Sequence, residues 1–162
     1  MPGYTQPAKT TEWETPPSVM RWVREHYNPQ LDVCAKKGNA QCDRYFNRTT
    51  NGLKQHWGVQ DCWMNPPYGQ SLKNWVRKAY DESVSGSTVI CLLPVRTDAQ
   101  WWHDYVMPYG EVFFIRGRLR FGGAEHNAPF PSAIVVFYPQ HIHSHYKPRE
   151  RFHSISLKKA KK

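Results

Sequence analysis

"DCWMNPPYGQSLKNWVRKAY", residues 61–80, carries the pieces on which the fold reading turns. The apolar stretch 61–64 reads as a short strand. Asn65-Pro66-Pro67-Tyr68 can extend neither a strand nor a helix. Its prolines donate no backbone hydrogen bond, and Pro66 pushes Asn65 away from helical angles. Leu72, Trp75, Val76, Ala79 and Tyr80 then recur at helical spacing and predict an amphipathic helix. A strand that stops in a rigid polar turn and hands over to a helix raises a functional expectation. In open α/β sheets, ligands bind at strand ends.

The flanking sequence repeats the alternation of strand and helix. Thr15, before Pro16 and Pro17, is placed to cap a helix whose inner face holds Val19, Trp22, Val23 and Tyr27. Asn28-Pro29 ends it. "LDVCA" (31–35) reads as a short buried strand that ends at a loop. Residues 36–58 lack periodicity and read as loop with a helical turn. "TVICLLP" (88–94) is an apolar, β-branched run, suited to a central strand buried on both faces. Thr97-Asp98 is placed to cap a further helix carrying Trp101, Trp102, Tyr105 and Val106 inward, closed by Pro108. "EVFFI" (111–115) and "SAIVVFY" (132–138) read as two more strands. No full crossover helix separates them, so an antiparallel pair at one edge is expected. The whole predicts an α/β layered domain with a mostly parallel sheet.

Totals narrow the class. The chain has 162 residues, enough for a single domain with one core. The boundaries read as a loose, polar 1–11, a domain over 12–140 and a basic tail over 141–162. No apolar run reaches membrane-spanning length. No secretory pattern is visible, so a cytoplasmic location is expected. Lys and Arg number 22 against 13 acids, a formal charge of +9. From His141 onward there are seven Lys/Arg and one acid, Glu150, which concentrates +6 of that charge in the tail. A basic tail suggests a polyanion partner; a solubilising tail is the plainer alternative. Cys34, Cys42, Cys62 and Cys91 show no Cys-x-x-Cys spacing, and disulfides are not expected. His141, His143 and His145 alternate, but no Cys or carboxylate completes a metal site, so no metal is expected.

The tetrapeptide has a chemistry of its own. Asn65 offers a carbonyl acceptor, and the Pro66 carbonyl has no helical partner. Two acceptors at one strand end can hold both hydrogens of a planar NH₂ group. Tyr68 offers a flat face for stacking a ring. The lone pair of an aromatic amine is delocalised into its ring. Accepting from both N–H groups favours a pyramidal nitrogen, and those bonds strengthen as positive charge develops there. No strong base is needed first. A proline-rich turn with a buried Tyr is the plainer reading of the same residues.

On "EWETPPSV" (12–19), "LDVCA", "CWMNPPYG" (62–69), "LLPVRTDAQWWHDYV" (92–106), "FIRGRLRFGG" (114–123) and "APFPSAIVVF" (128–137), the chain resembles the small Dam-type DNA N6-adenine methyltransferases carried by phages and prophages. The resemblance implies a Rossmann-like class I methyltransferase fold: a mostly parallel sheet flanked by helices, with an antiparallel edge. It implies S-adenosylmethionine as cofactor, DNA as partner and a bacterial host cytoplasm. Asn65, Pro66, Pro67 and Tyr68 match the catalytic motif directly. Thr15 and Pro16 fall in the segment that lies against the methionine end of the cofactor. Asp32 and Cys34 fall where the first strand and its loop cradle it. The glycine-rich turn usual there is missing, with Gly38 and Asn39 as substitutes. Trp13 lies outside any amphipathic pattern and is a candidate for the cofactor or base pocket.

For DNA, Arg116, Arg118 and Arg120 would share one face of a strand, with Leu119 or Phe121 free to wedge into the stack. An edge strand whose arginines merely discourage aggregation is the alternative. Arg96 begins the loop after the central strand, where a binding residue is plausible. A target adenine inside a duplex has to be extruded. With no room for a separate recognition domain, short or relaxed sequence selectivity is expected. Two other functions stay open: a methyltransferase acting on RNA adenine or protein glutamine, and a non-catalytic DNA-binding module on the same fold.

Overall fold

Apolar runs dictate the middle of the sheet. In the computed structural model, which describes residues 12–139 and 150–157, Thr88–Pro94 and Ser132–Phe137 form strands β4 and β6. All of β6, and all of β4 except Thr88, is buried. They pair antiparallel from Val89↔Phe137 to Pro94↔Ser132. Among the described residues, seven strands make one sheet in the order β2-β1-β3-β4-β6-β5-β7. The others are β1 (Leu31–Asp32), β2 (Arg44–Tyr45), β3 (Asp61–Met64), β5 (Glu111–Ile115) and β7 (Phe152–Ile155). β1 to β4 run parallel to one another. β5 pairs antiparallel with β6, as its connection predicts, and parallel with β7.

The strand order turns back beside β1. The chain goes from β1 outward to β2, then returns to lay β3 on the other side of β1. Such a reversal opens a crevice beyond the carboxyl ends of the two strands on either side of it. That crevice lies between Asp32 and Met64, directly before the Asn65 turn.

Helices α1 (Pro17–His26) and α2 (Leu72–Val84) flank the sheet. Their buried faces are the expected ones: Val19, Met20 and Val23 on α1, and Leu72, Trp75, Val76 and Ala79 on α2. Two details depart from expectation. The α1 cap is Pro16, with no side-chain capping bond, and the Thr15 hydroxyl is used elsewhere. The helix after β4 is π-helical over Trp102–Val106 and ends as α3 (Met107–Tyr109). Pro108 lies inside its last turn, and Asp98 is exposed without capping it.

The connection over 36–58 contains the expected helical turn, as a 3₁₀ turn at Gly52–Lys54, and one element that its sequence does not suggest, β2. Neither has a hydrophobic period: both β2 residues are exposed, and backbone pairing alone defines the strand. Residues 152–155 of the basic tail are strand β7, the outermost on that side. Parallel pairing from Val112↔Phe152 to Ile115↔Ile155 ties it to β5. The loose reading of 1–11 and the His141, His143 and His145 row lie outside the described residues.

Candidate active site

The site grows from Asn65. β3 delivers it to the crevice, and the two prolines fix the turn. Its Nδ2 donates to the Trp13 carbonyl at 2.6 Å and to Thr15 Oγ1 at 3.0 Å. Its Oδ1 accepts from the Tyr68 hydroxyl at 3.0 Å, and the same hydroxyl lies 3.0 Å from the Leu92 carbonyl on β4. A backbone carbonyl only accepts, so the nitrogen of the amide has to face Trp13. The oxygen is thereby directed to the opposite side, with one lone-pair direction left over. No hydrogen bond among the described residues reaches the Pro66 carbonyl. Arg96 Nη2 donates to the Tyr68 carbonyl at 3.3 Å and braces the far end of the turn.

Tyr68 is not the open stacking face that its sequence position suggests. It is buried, and its ring meets Phe121 and Phe130 edge-on at 6.2 Å and 5.6 Å. Burial holds its hydroxyl well above the ordinary value, so it stays a donor. Phe121 is likewise buried and packs at 5.1 Å on Trp13, so it is no wedge. Leu119 is buried as well. Arg116, Arg118 and Arg120 are exposed, but β5 stops at Ile115 and they sit on a loop rather than along one strand face. Arg116 Nε donates to Ser154 Oγ, and Arg120 Nε to the Ala124 carbonyl, both at 3.0 Å.

Beside Asn65 lies a cleft of about 520 Å³. Of the expected cofactor residues, Trp13, Thr15, Asp32, Cys34, Asn39 and Asn65 line it, with Pro66 and Pro67 on its rim; Pro16 does not, since it caps α1. Asp32 is neither a free ligand nor a surface carboxylate. It is 2% exposed, and its two oxygens accept from the backbone of Cys34 at 3.1 Å and Gln41 at 2.9 Å. Those bonds shape the turn after β1 in the absence of a glycine-rich loop. Burial lifts the Asp32 carboxyl from 3.8 to about 6 against the two hydrogen bonds that lower it. Asn39 closes the same turn by accepting from Lys36 N at 2.7 Å. Burial, then the charges of Asp32 and Glu12, push the Cys34 thiol up to about 12, so it stays protonated.

Sequence reasoning missed one wall: Asn47, Arg48, Asn51 and Gly52, with Trp63 and Trp75 behind. Gly52 is there because a Cβ would lie 2.1 Å from the Val33 carbonyl oxygen. Its own carbonyl accepts from Trp57 Nε1 at 2.9 Å, and the Trp57 backbone donates to the buried Glu82 carboxylate of α2 at 3.1 Å. Helix α2 thus holds the wall against β1. The Asn51-Gly52 pair is the one local signal that could have marked it.

The opposite wall is a strap, residues 12–15. Lys36 pairs with Glu12 on one side. On the other, Gly122 N donates to the Glu14 carbonyl at 3.0 Å, a lone antiparallel bridge. A Cβ at Gly122 would come within 3.0 Å of the Glu14 carboxylate, so a bare backbone suits the approach.

A mostly parallel sheet with a polar cleft at its reversal point and an amide–diproline turn on the rim is a Rossmann-like methyltransferase fold. The model of the family described as DNA N-6-adenine-methyltransferase (Dam) matches residues 4–161, and the chain belongs to that family. It is 28% identical over 136 residues to a DNA N-6-adenine-methyltransferase of Haemophilus phage HP1, covering 79% of each chain. It is also 28% identical over 109 residues to a protein of the same name from Escherichia phage T1. That match covers 66% of this chain, which spans 45% of the T1 protein's length. Among the described residues, no helix is long and apolar enough to cross a membrane.

Proposed function

We propose that this chain transfers a methyl group from S-adenosylmethionine to the N6 amine of adenine in DNA, with the base turned out of the helix to reach Asn65. The observation that carries the reading is the fixed amide: Asn65 Oδ1 is directed by three partners at the mouth of the cleft, beside an unengaged Pro66 carbonyl. Those two oxygens accept the two N6 hydrogens. They bind the amine more tightly as it becomes positive, which is where a catalyst gains rate. The methylated nitrogen is acidic, so its proton passes to solvent without a dedicated base.

The cleft suits the cofactor by volume and by donor set. Its size lies in the range of small-molecule sites. Trp13, Trp63 and Trp75 offer ring surfaces, Glu12 and Glu14 can meet hydroxyl or ammonium groups, and Arg48 can meet a carboxylate. When bound, the sulfonium compound supplies an electrophilic methyl group. The chain's own part is to hold donor and amine in line, since alignment alone is worth several powers of ten in rate. Tyr68 contributes through Asn65 rather than by stacking. Arg116, Arg118 and Arg120 meet phosphates or base edges from their loop, and the basic segment adds sequence-independent attraction.

Asn65→Ala tests this reading. Turnover on DNA should fall by at least about a thousandfold, while calorimetry with S-adenosylmethionine gives an affinity close to wild type. A variant that methylates DNA at the wild-type rate would refute it.

A further inference from the structure

Asn65 serves the reaction only if its oxygen, and not its nitrogen, faces the amine. The two ends of an amide are nearly identical in shape, so surrounding partners decide the orientation. Here the deciding groups come from 50 and 52 positions away in the chain: Thr15 Oγ1 and the Trp13 carbonyl, both on the nitrogen side. They belong to the strap that Gly122 bridges. The Trp13 ring is wedged between Phe121 and Phe130 at 5.1 Å and 5.3 Å, so its carbonyl is not free to swing away.

We propose that Thr15 is a positioning residue that, with the Trp13 carbonyl, locks the Asn65 amide oxygen toward the target amine, and that this strap makes an amide rather than a carboxylate the working group at position 65. The inference rests on the reading of Asn65 as acceptor for the amine. A carboxylate there would set its second oxygen against the Trp13 carbonyl, acceptor against acceptor, where the amide now donates at 2.6 Å. Protonation would relieve that clash, because a carboxylic acid can donate to Trp13 and still offer its other oxygen to the amine.

The test compares wild type, Thr15→Val, Thr15→Ser and Asn65→Asp, each with S-adenosylmethionine and adenine-containing DNA. Thr15→Val keeps the shape and removes the acceptor. It should lower kcat about tenfold with an unfolding midpoint near wild type, and Thr15→Ser should recover most of the loss. Asn65→Asp should be poor at neutral pH and gain activity relative to wild type as pH falls, the Asp32, Glu12 and Glu14 carboxyls of the cleft being common to both. Equal losses in both Thr15 variants, a wild-type kcat in Thr15→Val, or a flat profile at wild-type rate in Asn65→Asp would each overturn the positioning role. Those results leave the acceptor reading intact as long as wild type methylates. A folded wild type that transfers nothing to adenine would overturn the reading and the inference together.

Discussion

Asp32 shows how a single side chain can shape the cleft that it lines through its own hydrogen bonds. Its burial is unfavourable to the ionised form, and two backbone N–H groups offset part of that. The sign follows from linkage. With the folded value raised from 3.8 to about 6, the folded protein holds a proton that the unfolded chain has already lost between those values. The associated stability is present below about pH 4 and is gone once the pH has risen through about 6, a contribution of about 3 kcal/mol. Unfolding midpoints of wild type and Asp32→Asn, measured across that window, should therefore converge or cross as pH rises. Parallel curves would contradict the assignment. At this scale the sequence marked the turn at Asn65 clearly, because prolines punctuate locally. It could not reveal the Trp13 carbonyl, a backbone acceptor that carries no residue signature. Tyr68 misled for a related reason: burial is decided by Phe121 and Phe130, which come from the distant 116–131 loop.

Among elements, strong periodicity was read correctly and weak periodicity was not. α2 and β4 announce themselves through spacing and apolar content. β2 and β7 are held by backbone pairing, which leaves no period to detect, while the helical turn expected within 36–58 is the 3₁₀ turn at 52–54. The missed wall is the costliest of these, since it completes the cleft. Its dependence on Gly52 is testable. In Gly52→Ala the new Cβ meets the Val33 carbonyl oxygen, so the wall has to move off β1. The expected loss is about 1–3 kcal/mol, read as a lower unfolding midpoint, with weaker binding of S-adenosylmethionine by calorimetry. Wild-type stability and affinity in that variant would show that the wall is not seated as described. β7 also changes how the basic tail can be probed. Removing everything after Tyr138 would strip β5 of its neighbour as well as removing charge, so substitutions are the cleaner instrument.

For the molecule as a whole, charge and the site support the same proposed partner, DNA. The formal +9 includes three exposed arginines on the loop whose neighbour, Gly122, is bridged to the strap that orients Asn65. The proposed DNA-contacting loop and the strap proposed to align Asn65 are thus joined through the Glu14–Gly122 bridge. Arg116→Ala, Arg118→Ala and Arg120→Ala together should weaken DNA binding. The slope of log affinity against log salt should fall by about 0.9 for each arginine that meets a phosphate of duplex DNA. An unchanged slope would remove the loop from the interface. The layered fold was legible from alternation alone. The switch-point cleft was not, because it depends on which strands become neighbours, and strand order leaves little trace in a sequence.

The most direct measurement supplies purified protein with methyl-labelled S-adenosylmethionine and, in separate reactions, DNA, RNA and protein, and then locates the label. The account predicts label on adenine N6 of DNA, lost in Asn65→Ala. Label confined to RNA or to glutamine, or none on adenine from folded protein that binds both cofactor and DNA, would contradict it.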